Sequence, residues 1–156
     1  MIEINNLTTN PVDEEFLKKV AKIVLKEKHP PVGRVPEEAD LSIALVGQGR
    51  MRELNKKYRG KNRVTDVLAF GQNQKLKIKN QKFPIIPKSE LDLGEIVICP
   101  GEVKKNAKGY NLTFEKELSK VLIHGILHLL GYDHEKDKFK AKKMEEKENY
   151  YLEKLK

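Results

Sequence analysis

Residues 121–130 (VLIHGILHLL) are apolar on almost every side of the helix they would form, interrupted only by His124, Gly125 and His128. A helix without a polar face cannot lie on a surface, so this one has to run through the middle of a domain with other elements packed around it. Thr113 is placed to cap its start. Gly131 is placed to stop it, because glycine takes the left-handed conformation after a last helical turn without penalty. The helix is expected over residues 114–130.

The flanking sequence supplies the covering elements. Ile2, Ile4 and Leu7 alternate with polar residues as a short strand, and Asn10-Pro11 offers a helix entrance with Asp13, Glu14 and Glu15 in the first turn. Phe16, Leu17, Val20, Ile23 and Val24 follow the 3.6-residue period to about Lys28, where His29-Pro30-Pro31 ends the helix and leaves His29 at the surface. Leu41, Ile43, Leu45 and Val46 read as a buried strand; a basic helix from about Arg50 to Tyr58 follows, ended by Gly60. Residues 64–70 (VTDVLAF) and 94–99 (GEIVIC) are two further strands. Between them lies a polar, lysine-bearing excursion with a small hairpin around Pro84 to Pro87. Pro100-Gly101 opens a helical segment that closes near Lys108-Gly109, and a charged amphipathic helix runs on from Glu135. The expectation is one α+β domain over residues 1–156, with a mixed sheet of four or five strands, four or five helices, and the histidine-bearing helix buried at its centre.

A single cysteine, Cys99, rules out an internal disulfide and a thiolate zinc site, and reads as a small buried hydrophobe. No basic segment followed by an apolar one opens the chain, and no apolar run approaches the roughly 18 residues of a membrane span, so a soluble cytoplasmic protein is expected. The formal charge of +8 is concentrated: residues 50–63 (RMRELNKKYRGKNR) hold seven basic residues against one acid, and residues 75–82 (KLKIKNQK) hold four against none. A charge so placed favours a polyanionic partner.

Three of the four histidines fall within eleven residues, at 124, 128 and 134. Four residues apart on a helix, His124 and His128 present both imidazoles on one face, and the turn at Gly131 can bring His134 back to complete a three-histidine zinc site. Three neutral ligands leave the fourth tetrahedral position open to water, as in catalytic zinc. The spacing equals the metzincin signature His-Glu-x-x-His-x-x-Gly-x-x-His except that Gly125 replaces the glutamate that serves as general base, which counts against peptidase chemistry. Glu95 and Asp133 are the carboxylates that could stand in, but each reads first as structural: Asp133 as a residue that orients an imidazole or caps a turn, Glu95 as the opening of a strand. Tyr58, Tyr110 and Tyr132 could stack on bases but read first as core or boundary packing, and Thr65-Asp66 reads as a local brace for the basic loop.

The string His-Gly-x-Leu-His-Leu-x-Gly-Tyr-Asp-His resembles the signature of the YbeY family of metal-dependent endoribonucleases, and it is matched throughout by residues 124–134. Residues 55–59 (NKKYR), 65–70 (TDVLAF) and 93–96 (LGEI) agree with the same family, with Ala69 where serine and Glu95 where aspartate are common. The resemblance implies that His124, His128 and His134 bind one zinc ion per chain and that Arg59 is the functional arginine beside them. It implies a single-strand-preferring endoribonuclease acting in 16S rRNA 3′-end maturation and ribosome quality control. Small-subunit ribosomal proteins and an Era-like GTPase are the implied partners. The nucleophile on the RNA phosphodiester would be water or the RNA 2′-hydroxyl, and nickel or copper would also suit three imidazoles. The competing expectations are a zinc metallopeptidase-like hydrolase and a non-catalytic, zinc-stabilised rRNA-binding assembly factor.

Overall fold

The apolar segment that dominates the sequence is the helix around which the other elements gather. The computed structural model describes residues 1–29, 33–34, 39–71, 92–132 and 138–155. In chain order these form β1 (Ile2–Asn6), α1 (Glu14–Leu25), β2 (Lys28–His29), β3 (Gly33–Arg34), β4 (Asp40–Leu45), α2 (Gln48–Arg59), β5 (Val67–Gly71), β6 (Asp92–Ile98), α3 (Pro100–Gly109), α4 (Phe114–Leu129) and α5 (Lys138–Lys154). On α4, Leu122, Ile123, Ile126 and Leu127 are fully buried, with Val121 nearly so. Thr113 caps it by accepting the Lys116 N–H at 3.1 Å, and Gly131, at φ +98°, stops it.

The main sheet has the order β1-β4-β6-β5. The first three strands are parallel, and β5 lies antiparallel at the edge, so the sheet is mixed as expected. Alternation along the strands gives two apolar faces. Leu41, Ile43, Leu45, Ile96 and Ile98 meet α1 and α4, with Val103 of α3 and Met144 and Tyr151 of α5 completing that core. Ala44, Val46, Leu68, Phe70, Val97 and Cys99 meet Met51 and Leu54 of α2 on the opposite face. The sheet is thus the middle of three layers. Among the described residues no helix is long and apolar enough to cross a membrane.

Two glycines set the closest approaches. A Cβ at Gly125 would lie 3.2 and 3.3 Å from side-chain carbons of Ile96, so α4 sits on β6 at a distance only glycine allows without displacement. Gly94 has φ +132°, and a Cβ there would stand 2.2 Å from the carbonyl oxygen of Phe70. It follows a register shift at which Asp40 pairs with Asp92 but Leu41 with Gly94. The Gly94 N–H is taken by the Asp92 carboxylate at 3.0 Å.

Several boundaries differ from the sequence reading. Asp13 lies in the cap position rather than the first turn, because its carboxylate accepts the Phe16 N–H at 3.1 Å. Helix α1 ends at Leu25, and residues 28–29 pair instead with residues 33–34 in a short antiparallel ladder. Strand β5 starts at Val67 rather than Val64. Helix α3, by contrast, closes at Gly109 as read, and Asn111 beyond it takes the left-handed conformation, at φ +57°. The hairpin expected around Pro84 to Pro87, the lysine run 75–82, and the His29 side chain lie outside the described residues.

The contrast between two glycines is testable by urea unfolding. Gly94→Ala should cost on the order of 3 kcal/mol through backbone strain and collision. Gly49→Ala, in the first turn of α2 with open space around it, should stabilise by about 0.5–1 kcal/mol.

Candidate functional site

A cleft of about 670 Å³ opens where α4 passes the edge strand β5, and its walls include Arg59, Asp66, Asn106, Glu117, His124, His128 and Glu148. Three of the residues singled out in the sequence, Arg59, His124 and His128, therefore share one space. His134 and Asp133 lie outside the described residues. Helical spacing carries His124 and His128 to one face, where their Nε2 atoms converge to 3.1 Å. Two nitrogens bound about 2.0–2.1 Å from one tetrahedral ion would be separated by roughly 3.3 Å, so the spacing suits a shared metal.

The other ring nitrogen of His124, Nδ1, pairs with Glu148 Oε1 of α5. A carboxylate on the far nitrogen of a ligating imidazole fixes its tautomer and turns its Nε2 outward. Sequence reasoning passed over Glu148 as one charge on a charged helix. The signal was its spacing: it stands four residues after Met144 and three before Tyr151, the two buried residues of α5. Tyr151, fully buried, reaches back to Glu27 at 3.2 Å, and Tyr150 reaches the same carboxylate at 2.8 Å. Lys154 also pairs with Glu27. These bonds tie α5 to the end of α1.

Arg59 comes from the opposite layer. Gly60, in the left-handed region at φ +71°, ends α2 immediately after it. The following loop is organised by the buried side chain of Asn55, whose amide donates to the Arg63 carbonyl at 2.9 Å. Arg52 adds a bond to Asn62 at 2.9 Å. The Asp66 carbonyl accepts the Cys99 N–H at 2.9 Å, anchoring the loop to the end of β6. The Asp66 carboxylate meets the Thr65 hydroxyl at 3.4 Å and the Asn106 amide at 3.5 Å, so the expected local brace exists and also reaches α3.

Glu95, considered above as a base, faces the wrong way. It neighbours Ile96, which packs toward α4, and pairs with Phe70, which belongs to the core beneath α2. Among the described residues, the carboxylates that do line the cleft are Asp66, Asp92, Glu117 and Glu148. Glu117 is 3% exposed and its Oε2 has no hydrogen-bond partner among the described residues. Burial pushes its carboxyl above the usual range; Lys120 opposes the shift and the Asp66 charge adds to it. Glu117 precedes Val121, His124 and His128 on one stripe of α4, a pattern present in the sequence but not used.

Of the tyrosines, Tyr58 packs edge-on against Phe70 with ring centroids 5.3 Å apart, and Tyr132 is packed against the core, where burial raises its hydroxyl. Tyr110 departs from the packing expected of it: it is 65% exposed at the cleft rim. Cys99 is fully buried, as read from the sequence, and burial pushes its thiol up.

Fold and cleft together define a class: an α+β protein whose buried helix offers imidazoles to a cleft that an arginine enters from across the sheet. Residues 3–156 match the family model described as endoribonuclease YbeY, and the chain belongs to that family. It is 45% identical over 139 residues to the endoribonuclease YbeY of Thermodesulfovibrio yellowstonii, covering 89% of this chain and 76% of that protein. To that of Thermotoga neapolitana it is 42% identical over 146 residues, covering 91% and 82%. The solution structure of a Thermotoga maritima protein superposes with a TM-score of 0.59 at 36% identity, covering 98% of this chain and 87% of that one.

The buried carboxyl has a measurable signature. With its pKa raised, Glu117 favours the folded state fully below its ordinary value of 4.5, and that advantage is lost as pH rises towards the raised value. Glu117→Gln should therefore raise Tm at pH 7 relative to wild type and leave it nearly unchanged at pH 4, as followed by circular dichroism. A Tm gain of equal size at both pH values would contradict the burial effect.

Proposed function

We propose that this cleft is the active site of a zinc-dependent endoribonuclease that hydrolyses phosphodiester bonds of single-stranded RNA. The observation that carries the reading is the convergence of the His124 and His128 Nε2 atoms at 3.1 Å in the same cleft as Arg59. Membership of the endoribonuclease YbeY family supports the RNA substrate. The cellular part of the proposal is 16S rRNA 3′-end maturation and ribosome quality control in the cytoplasm, with small-subunit ribosomal proteins and an Era-like GTPase as partners.

His124 and His128 would hold the ion, with His134 as the third ligand. Zinc held there supplies a Lewis acid and lowers the pKa of water towards neutrality. The protein's own contributions follow from placement. Glu148 holds the His124 ring by its Nδ1 and keeps Nε2 directed into the cleft. Arg59, exposed at the end of α2, can grip a phosphate by two charge-assisted hydrogen bonds and offset charge that develops on it. Hydrolysis adds the elements of water across one P–O bond, leaving a phosphate on one fragment and a hydroxyl on the other. The peptidase alternative loses ground on a specific contact. At the position of the metzincin glutamate stands Gly125, where even a Cβ would press on the Ile96 side chain at 3.2 Å, so the position offers the cleft no carboxylate and little room for one.

The test combines metal analysis with cleavage of single-stranded oligoribonucleotides. Wild type should retain about one zinc per chain and cleave, while His124→Ala and His128→Ala should lose both properties. Arg59→Glu should retain zinc and lose about 100-fold or more in kcat/KM. Glu148→Gln should weaken zinc binding by about 10–100-fold. Zinc-dependent cleavage of unstructured peptides with RNA left intact would overturn the reading.

A further inference from the structure

Of the seven basic residues between positions 50 and 63, Arg59 alone stands in the cleft wall. The other six lie on α2 and the loop after it, in the layer opposite α4. Arg50 is neutralised at 3.1 Å by Glu53, the one acid of the segment. Arg52, Lys56, Lys57, Lys61 and Arg63 are exposed, and none of them is paired with a carboxylate among the described residues. Arg52, Lys56 and Arg59 follow one another at intervals of four and three, which sets them in one row along α2. The row is about 10 Å long, close to the length of three stacked nucleotides of a strand, and its last member is already in the cleft.

The row is braced. Asn62 accepts the Arg52 Nε–H at 2.9 Å, which orients the guanidinium and leaves its two terminal nitrogens for a ligand. That bond, the left-handed Gly60 and the Asn55 amide on the Arg63 carbonyl fold the loop back, so that Lys61 and Arg63 come beside the helix. Cations held in place lose less freedom when they meet a ligand. The cleft itself cannot supply the attraction: among the described residues four carboxylates in its wall outnumber Arg59 and Lys120. A polyanion that reaches the histidines is therefore drawn in from outside the cleft, and α2 is where uncompensated positive charge adjoins it.

We propose that Arg52 and Lys56, with Lys61 and Arg63 beside them, form a track for the sugar-phosphate backbone of single-stranded RNA, leading the strand along α2 to Arg59 and the histidines. The inference rests on the RNA-cleaving reading of the cleft and adds the path by which the strand enters it. Arginine and lysine contacts to phosphate fix the register of a strand without reading its bases, so the track serves RNA of any sequence. Each phosphate neutralised releases counterions, which gives the track a signature that scattered surface lysines lack.

The experiment is fluorescence anisotropy of zinc-loaded protein with a single-stranded oligoribonucleotide of about 12 residues, repeated across a range of salt concentrations. The RNA is checked on a denaturing gel afterwards; where it is cut, the titration is repeated with every protein carrying His128→Ala as well. For a single strand, log K falls with log salt by about 0.7 for each phosphate contact. Arg52→Gln and Lys56→Gln should each flatten that slope by about 0.7 and weaken binding about 5-fold at 0.1 M salt; the double variant should show the sum of both slope changes. Lys19→Gln/Lys22→Gln, which removes the same charge from exposed positions of α1 across the sheet, should leave the slope unchanged. Each variant is first shown to unfold cooperatively near the wild-type midpoint; if Arg52→Gln does not, having lost its bond to Asn62, Lys56→Gln carries the test.

An unchanged slope in the folded α2 variants overturns the track, as does an equal flattening in the α1 control, which would reduce the effect to net charge. Binding to vesicles containing phosphatidylserine that is lost in Arg52→Gln/Lys56→Gln, with the RNA slope unaltered, would assign the row to a membrane and overturn the proposal. A flattened slope without any zinc-dependent cleavage would leave the track standing while the hydrolytic reading fails. RNA cleavage with a wild-type slope in the double variant would do the reverse, and absence of RNA binding overturns both.

Discussion

The contact between Gly125 and Ile96 governs the rest of the molecule. By letting α4 settle onto β6 with a missing side chain at the point of closest approach, it buries a helix whose neighbours are apolar on every side but one. Along that remaining side run Glu117, Val121, His124 and His128, facing the cleft. Polar groups set into a buried helix are costly unless each finds a partner, and the fold supplies some of these within the protein. His124 has Glu148, delivered by α5, and His128 meets His124. Glu117 Oε2 is left without one among the described residues. The same close packing that forms the core therefore produces reactive polarity at the edge of the sheet.

That edge is where the two helical layers come within reach of one ligand. Strand β5 is antiparallel and short, so α4 on one face and the end of α2 on the other meet around its border. Arg59 owes its place to a left-handed glycine immediately after it and to Asn55, whose buried amide holds the loop beyond. Asp66 is held through its backbone by Cys99, so a residue of the basic loop is tied to the strand that supports α4. Arginine and lysine occur at the walls beside acids, and this mixture of charge suits a ligand that is itself divided into an anionic backbone and hydrogen-bonding bases.

Much of the site was legible from spacing alone, because residues four apart on a helix share a face wherever that helix is placed. The pairing of His124 with His128 is of this kind, as are the stops at Gly60 and Gly131 and the cap at Thr113. The alternation of β6 likewise places Glu95 and Ile96 on opposite faces, but which face meets α4 depends on the layers stacked upon it. Glu95, weighed as a stand-in base but read first as a strand-opening residue, therefore lies on the face of the sheet away from α4. The same limit applies to Tyr110, which nothing in its neighbourhood marked as exposed.

What the amino-acid sequence determined by itself was the set of relations within each element: the burial of α4, the shared face of its histidines, the position of Arg59 one residue before a helix-ending glycine, and the family to which these strings belong. Tertiary structure alone decided which charged residues come from elsewhere to meet them. Glu148 is 24 residues from His124 and Asn106 is 40 from Asp66, distances over which no local period operates. Helix and strand periodicity is imposed by backbone geometry and survives any arrangement of elements. Contact between elements depends on which apolar faces close against one another, and only the packed core settles that.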